Sequence, residues 1–171
     1  MSKQKLITKN IDSLIDMLAS KNSTIRRNAR KSLVALGKPA VPSLNRTLQK
    51  SKINHVRWEA AKTLGAISDA RAIPSLLKAL EDSDIDVIWL AAEGLRKFKK
   101  AAWSKLLRAL IKSGEDSVLL RHGVHHVLKN QKEDGFNDLL KALNKALESN
   151  SAQETTTIAA YDILKRLKAK S

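Results

Sequence analysis

Val56-Arg57-Trp58-Glu59-Ala60-Ala61-Lys62-Thr63-Leu64-Gly65 is the stretch whose reading decides the fold, because it recurs. Thirty-one residues earlier the chain reads Ile25-Arg26-Arg27-Asn28-Ala29-Arg30-Lys31-Ser32-Leu33, and thirty-one later Val87-Ile88-Trp89-Leu90-Ala91-Ala92-Glu93-Gly94-Leu95. A second phrase interleaves with the first. It opens at Ile11, Val41, Ile73, Trp103 and Phe136, and places Leu14, Leu44, Leu76, Leu106 and Leu139 in one column. Starts 30 to 33 residues apart give the period of two short helices and two turns, the signature of a solenoid. The expectation is a right-handed α-solenoid of five helical hairpins in one domain over 1–171, with repeats at about 11–40, 41–72, 73–102, 103–135 and 136–171. Each repeat has an A helix followed by a B helix.

The B-helix phrase, of the form V-R-x-x-A-A-x-x-L-G, resembles the HEAT-like repeats of the phycobilisome-lyase type over roughly residues 11 to 167. That family includes scaffolds, chromophore lyases and a metal-dependent hydroxylase, so the resemblance implies a fold and leaves the function open. The HEAT-like deoxyhypusine hydroxylases hold iron on repeated His-Glu pairs in the B helices. Here the matching pairs are Arg27-Asn28, Trp58-Glu59, Trp89-Leu90 and His122-Gly123, and none is intact. The chain is also similar to the DNA glycosylases built from HEAT-like hairpins, which use a basic concave face, tryptophans and a catalytic Asp. Glu93 is the one acid the pattern puts on that face.

Thirty-two Lys and Arg against 17 acids give a net charge of +15. Such an excess favours anionic partners: nucleic acid, an acidic protein or an anionic membrane. Fifteen of the cations and only four of the acids lie before residue 73, so the amino-terminal half is expected to be the electropositive one. With no cysteine there is no disulfide framework and no thiolate metal site, which favours an intracellular location. No apolar run has the length of a signal peptide or a membrane span, and a cytoplasmic protein is expected.

Capping signals divide the chain. Met1 to Lys9 reads as a basic lead, with Asn10 capping a first helix that ends near Ser20. Asn22 or Ser23 caps the next helix, and Gly37 stops it. Pro39, Pro42 and Pro74 open A helices in the first turn, where a missing donor costs nothing. Asn54 is expected to cap the second B helix, and Ser83 or Asp84 the third. Gly123 weakens the interior of the fourth by about 1 kcal/mol. Ser151-Ala152-Gln153-Glu154 reads as a capping box for the final helix, which closes with Lys165, Arg166, Lys168 and Lys170 and is expected to form a polar end cap.

At about 100° per residue, Ile25, Ala29, Ser32, Leu33 and Leu36, with Val56, Ala60, Thr63, Leu64 and Ile67, define a core face of the B helices. The opposite, concave face then carries Arg27, Arg30, Lys31, Trp58, Ala61, Lys62, Trp89, Ala92, Glu93, His122, His125 and His126. Aromatics interleaved with cations suit anchoring a protein partner or stacking on bases. Trp58 and Trp89 alternatively fill the seams between adjacent B helices. Arg26, Arg57 and Arg121 are expected to form a ladder between repeats, paired with backbone or with loop acids such as Asp84 or Asp116. Asp16, Arg46, Lys78, Arg108 and Lys141 are expected on a solvated convex face. His122 and His126 share a helix face, but no acid between them supplies the H-E-x-x-H mechanics, so neither metal nor cofactor is expected.

The function expected from the sequence is a non-enzymatic scaffold. Its basic face would take an acidic protein segment through Arg27, Arg30, Lys31, Trp58, Lys62, Trp89, His122, His125 and His126. The alternatives are sequence-independent nucleic-acid binding in the same groove and a glycosylase-like enzyme.

Overall fold

The computed structural model describes residues 3–113, 116–149 and 153–169, and among them ten helices run in chain order. They are α1 Lys3–Met17, α2 Ser23–Leu36, α3 Val41–Lys50, α4 Asn54–Ile67, α5 Ile73–Lys78, α6 Ile85–Lys97, α7 Lys100–Ser113, α8 Val118–Leu128, α9 Asn137–Glu148 and α10 Gln153–Ala169. Short 3-10 turns lead into α3 and α5. The helices pair into five hairpins and stack as an α-solenoid over one continuous apolar core from Ile11 to Leu164. Leu44, Leu76 and Leu106 of the A column and Ala29, Ala60, Ala91, Val124 and Ala160 of the B column are buried, while Leu14 and Leu139, in the outer hairpins, are half-buried against the core.

The caps explain most boundaries. The Asn22 side chain accepts from the amides of Thr24 and Ile25, and Asp84 from those of Asp86 and Val87. Asn54 does not cap α4: Ile53 occupies that position, and the Asn54 amide instead donates to Asp84 across the repeat at 2.8 Å. The first helix begins at Lys3, so Asn10 is interior to it and the basic lead is helical from Lys3 onward, Met1 and Ser2 lying outside the described residues. Each of the first four B helices is followed by a residue with positive φ, at Gly37, Ser68, Lys99 and Asn130. These stand 31 residues apart each time, and only the first is glycine. Ser151 and Ala152 of the expected capping box, and Lys170, lie outside the described residues.

Successive B helices run side by side in parallel. Asn54 meets Asp84 at the start of α4 and α6, and near their other ends Gly65 lies so close to Gly94 that a Cβ on Gly65 would stand 2.9 Å from the Gly94 Cα. Gly123 is a contact of the same kind, since a Cβ there would meet Leu80 at 3.0–3.2 Å. Its cost in helix propensity is therefore offset by packing.

This seam corrects the expected faces. Ala61 and Ala92 are fully buried, not concave, because they point at the next B helix. Ile25 and Ser32 are exposed because their columns point at the preceding repeat, and no described helix precedes α1. Val56 and Thr63, one repeat on, are buried there.

The last hairpin departs from the pattern. α9 lies beside α8 and runs against it: the Asn144 amide donates to the Leu128 carbonyl, and Glu148 reaches His125. α10 packs on α7 and α9. The two layers are thus exchanged in this hairpin, with α9 in the B layer and α10 in the A layer. Nor is α10 a wholly polar cap, since Ile158 and Tyr161 are exposed on it.

Candidate binding face

The candidate face is the row of B helices α2, α4, α6 and α8. Its amino-terminal end is organised from beneath by Glu59, which is 3% exposed in the seam between α2 and α4. Burying a carboxylate is unfavourable unless it is paired. Here Arg30 donates to one oxygen, and Arg26 lies 3.5 Å from the other while donating to the carbonyls of Ser20 and Lys21. Arg30 is therefore half-buried and committed to the fold. Arg27, Lys31 and Lys62 are exposed, and form the cationic part of the face.

The two tryptophans differ. Trp58 is half-buried against the core, with the Lys62 ammonium 4.6 Å from its ring centroid, a cation–π contact that holds Lys62 over the indole. Its other neighbours, Arg26, Asn54, His55, Asp84 and Asp86, line with it a cleft of about 300 Å³. Trp89 is 53% exposed and tilted against His126, with ring centroids 6.2 Å apart. A large aromatic so exposed on a rigid helix is available for contact, and Trp is the residue most enriched among interface hot spots.

His126 is held in turn. Its Nε2 lies 2.8 Å from Glu93, which also accepts from Arg96 at 2.9 Å. Partial burial works to raise the Glu93 pKa, but the hydrogen bonds with His126 and Arg96 outweigh it and hold the carboxyl below its usual value. His125 lies 3.0 Å from Glu148, and His122 is exposed. Each histidine thus faces a different neighbourhood.

Arg26 and Arg57 of the expected ladder are paired with backbone carbonyls and acids, with one change of partner. Arg57 grips Asp82, not Asp84, through two hydrogen bonds of 2.7 and 2.8 Å, and donates to the Ser51 carbonyl at 3.0 Å. Its pKa is raised, chiefly by the hydrogen bond to Asp82. The sequence reading missed Glu59 as the organiser of the face. The signal was there, as an acid in a B-helix column whose first-repeat neighbours Arg26 and Arg30 sit about 30 residues upstream.

The family model for HEAT repeats matches residues 11–96, half of the chain. The chain belongs to the HEAT-repeat family. No curated protein matches its sequence significantly. Among the solved structures that match this HEAT chain is the complex of CpcE and CpcF of phycocyanin lyase from Nostoc sp. PCC7120. The likeness has a TM-score of 0.62 at 25% identity, and covers 96% of this chain and 99% of the other. That match overturns the expectation of a chain with no part in catalysis, since the neighbour over nearly its whole length belongs to a lyase. Among the described residues no helix is long and apolar enough to cross a membrane.

Proposed function

We propose that this HEAT chain is a partner-recognition subunit. It takes an acidic segment of another protein along the row α2–α4–α6–α8, in an assembly of the lyase kind. The observation that carries the reading is Trp89, an indole more than half exposed on a rigid helix, in a row that also carries the exposed cations Arg27, Lys31 and Lys62. Trp89 supplies the apolar anchor. The cations attract and orient an acidic strand, and act more on the rate of encounter than on final affinity. Arg30, His125 and His126 support the face through their contacts to Glu59, Glu148 and Glu93, Trp58 with Lys62 forms its second aromatic step, and His122 extends it. The likeness to a two-protein lyase complex supports a protein partner and gives the assembly its catalytic context.

The test is affinity capture from native extract with and without nuclease, followed by titration of the captured protein's acidic segment against tryptophan fluorescence. Trp103 is buried, so a change in emission reports Trp58 and Trp89. The reading expects the partner to survive nuclease and Trp89→Ala to weaken binding at least tenfold, about 1.4 kcal/mol. Loss of all bound material on nuclease treatment, with affinity falling steeply as salt rises, would show a nucleic-acid groove instead.

A further inference from the structure

The exchange of layers in the last hairpin creates a second feature, in the A layer and away from the B-helix row. Because α10 lies on α7, the two helices flank an open cleft of about 450 Å³, lined by Lys100, Ala101, Ser104, Arg108, Leu164, Leu167 and Lys168. Lys100, Ser104 and Arg108 are spaced four apart, so they form one stripe of α7. Leu164, Leu167 and Lys168 form the facing stripe of α10.

Three cations and no carboxylate line this cleft. Lys100 is engaged outside it by Glu133 at 3.0 Å and lies 5.7 Å from the centroid of the Phe136 ring. Among the described residues, Arg108 and Lys168 have no ion-pair partner, and Arg108 makes only a long 3.5 Å contact to the Ser104 hydroxyl. The remaining walls, Ala101, Leu164 and Leu167, are aliphatic. Cations converging on one cleft repel each other, and an anion between them relieves the repulsion. An aliphatic wall is used only if that anion carries an apolar body. The volume lies in the range of small-molecule sites.

We infer that the α7–α10 cleft binds a small amphiphilic anion, a carboxylate or phosphate on a compact hydrophobic body, with Arg108 and Lys168 holding the charge and Ala101, Leu164 and Leu167 the body. The site is independent of the partner-binding row, and neither depends on the other.

The experiment titrates the full chain with decanoate below its micelle concentration, and in parallel with decanol, acetate and phosphatidylglycerol vesicles, by calorimetry. Decanoate is expected to bind, and decanol and acetate to bind at least tenfold more weakly. The double variant Arg108→Gln with Lys168→Gln is expected to weaken decanoate about tenfold or more. Ala101→Glu, an exposed position that adds a carboxylate to the cleft without emptying the core, is expected to abolish binding at unchanged helicity. Trp89→Ala is expected to leave it intact, which separates this site from the B-helix row. Equal binding of decanol, or decanoate affinity indifferent to both cleft variants, would overturn the inference. Binding to vesicles without binding of monomeric decanoate would show a membrane-facing patch in place of a small-ligand site, and would overturn it equally.

Discussion

Arg57 is heavily committed to the fold. It is 8% exposed, bound twice to Asp82 and once to the Ser51 carbonyl. Removing one partner of such a pair leaves the other desolvated and unpaired, so Arg57→Ala is expected to cost about 3 kcal/mol in urea unfolding. A surface lysine such as Lys52 should cost under about 0.5 kcal/mol. Lys99 predicts the opposite sign. It sits at φ 48, where a side chain is strained by roughly 1 kcal/mol and glycine is not. Lys99→Gly should therefore leave stability unchanged or raise it by a few tenths of a kcal/mol, the relief of strain being partly offset by the greater freedom of glycine in the unfolded chain. Asp69 sets an acid limit. Hydrogen bonds from the Arg71 side chain and backbone lower its pKa from 3.8 to about 2. A depressed folded pKa means that its stabilisation is present above the unfolded value and is lost as pH falls from about 4 through 2. Thermal unfolding across that window should fall less steeply for Asp69→Asn than for the parent chain.

At the scale of elements, the α4–α6 seam is governed by Gly65 and Gly94. In an exposed helix Gly→Ala gains about 1 kcal/mol, but a Cβ on Gly65 would stand 2.9 Å from the Gly94 Cα, and backbone cannot rotate aside. Gly65→Ala should therefore destabilise by about 1–3 kcal/mol, as overpacking does. Gly94→Ala should cost less, because its nearest obstacle is a flexible Leu76 methyl at 3.2 Å. Calorimetric unfolding of the two variants checks the order. Such seams mark where reading the sequence succeeds and where it stops. The period and the five hairpins were legible because spacing along the chain sets them, and the caps because Asn22 or Ser23 and Ser83 or Asp84 stand just before apolar-periodic runs, whereas an angle along one helix left Trp89 open between the groove and a seam. Ala61 and Ala92 were assigned to the wrong face because an angle on one helix carries no information about the helix beside it. Ile25 and Ser32 failed for the complementary reason, lacking a neighbour that their column elsewhere has. The exchange of α9 and α10 was not legible either, since Leu139 and Ala160 continue the columns while the hairpin that bears them is turned over.

For the whole molecule, the stack is quasi-linear, and each hairpin is stabilised by the neighbours it touches. The α4 and α6 helices are flanked on both sides, whereas α1 and α2 are flanked on one, with Leu6, Met17 and Ile25 exposed. Amide hydrogen exchange should accordingly be fastest in α1 and α2 and slowest in α4 and α6. Equal protection throughout would show global unfolding as the only route. The net charge of +15 acts at this scale too, steering anionic partners over a Debye length of about 8 Å at physiological salt. Glu59 takes Arg26 and Arg30 into the fold, which leaves the exposed Arg27, Lys31 and Lys62 to carry that steering at the amino-terminal end of the row.

The turned-over last hairpin also sets how a molecule of this design can be lengthened. A further copy of the 31-residue unit needs a parallel B helix to dock on, and after α8 that place is filled by α9 running the other way. Duplication at the carboxyl side would leave the new unit without a matching surface. An added unit would fit if spliced between existing ones, at the bends marked by Ser68 or Lys99, where the chain already re-enters the same geometry every turn of the ladder. The architecture is thus open to growth by internal duplication, whereas a copy of the unit added past α10 would need a docking surface other than a parallel B helix.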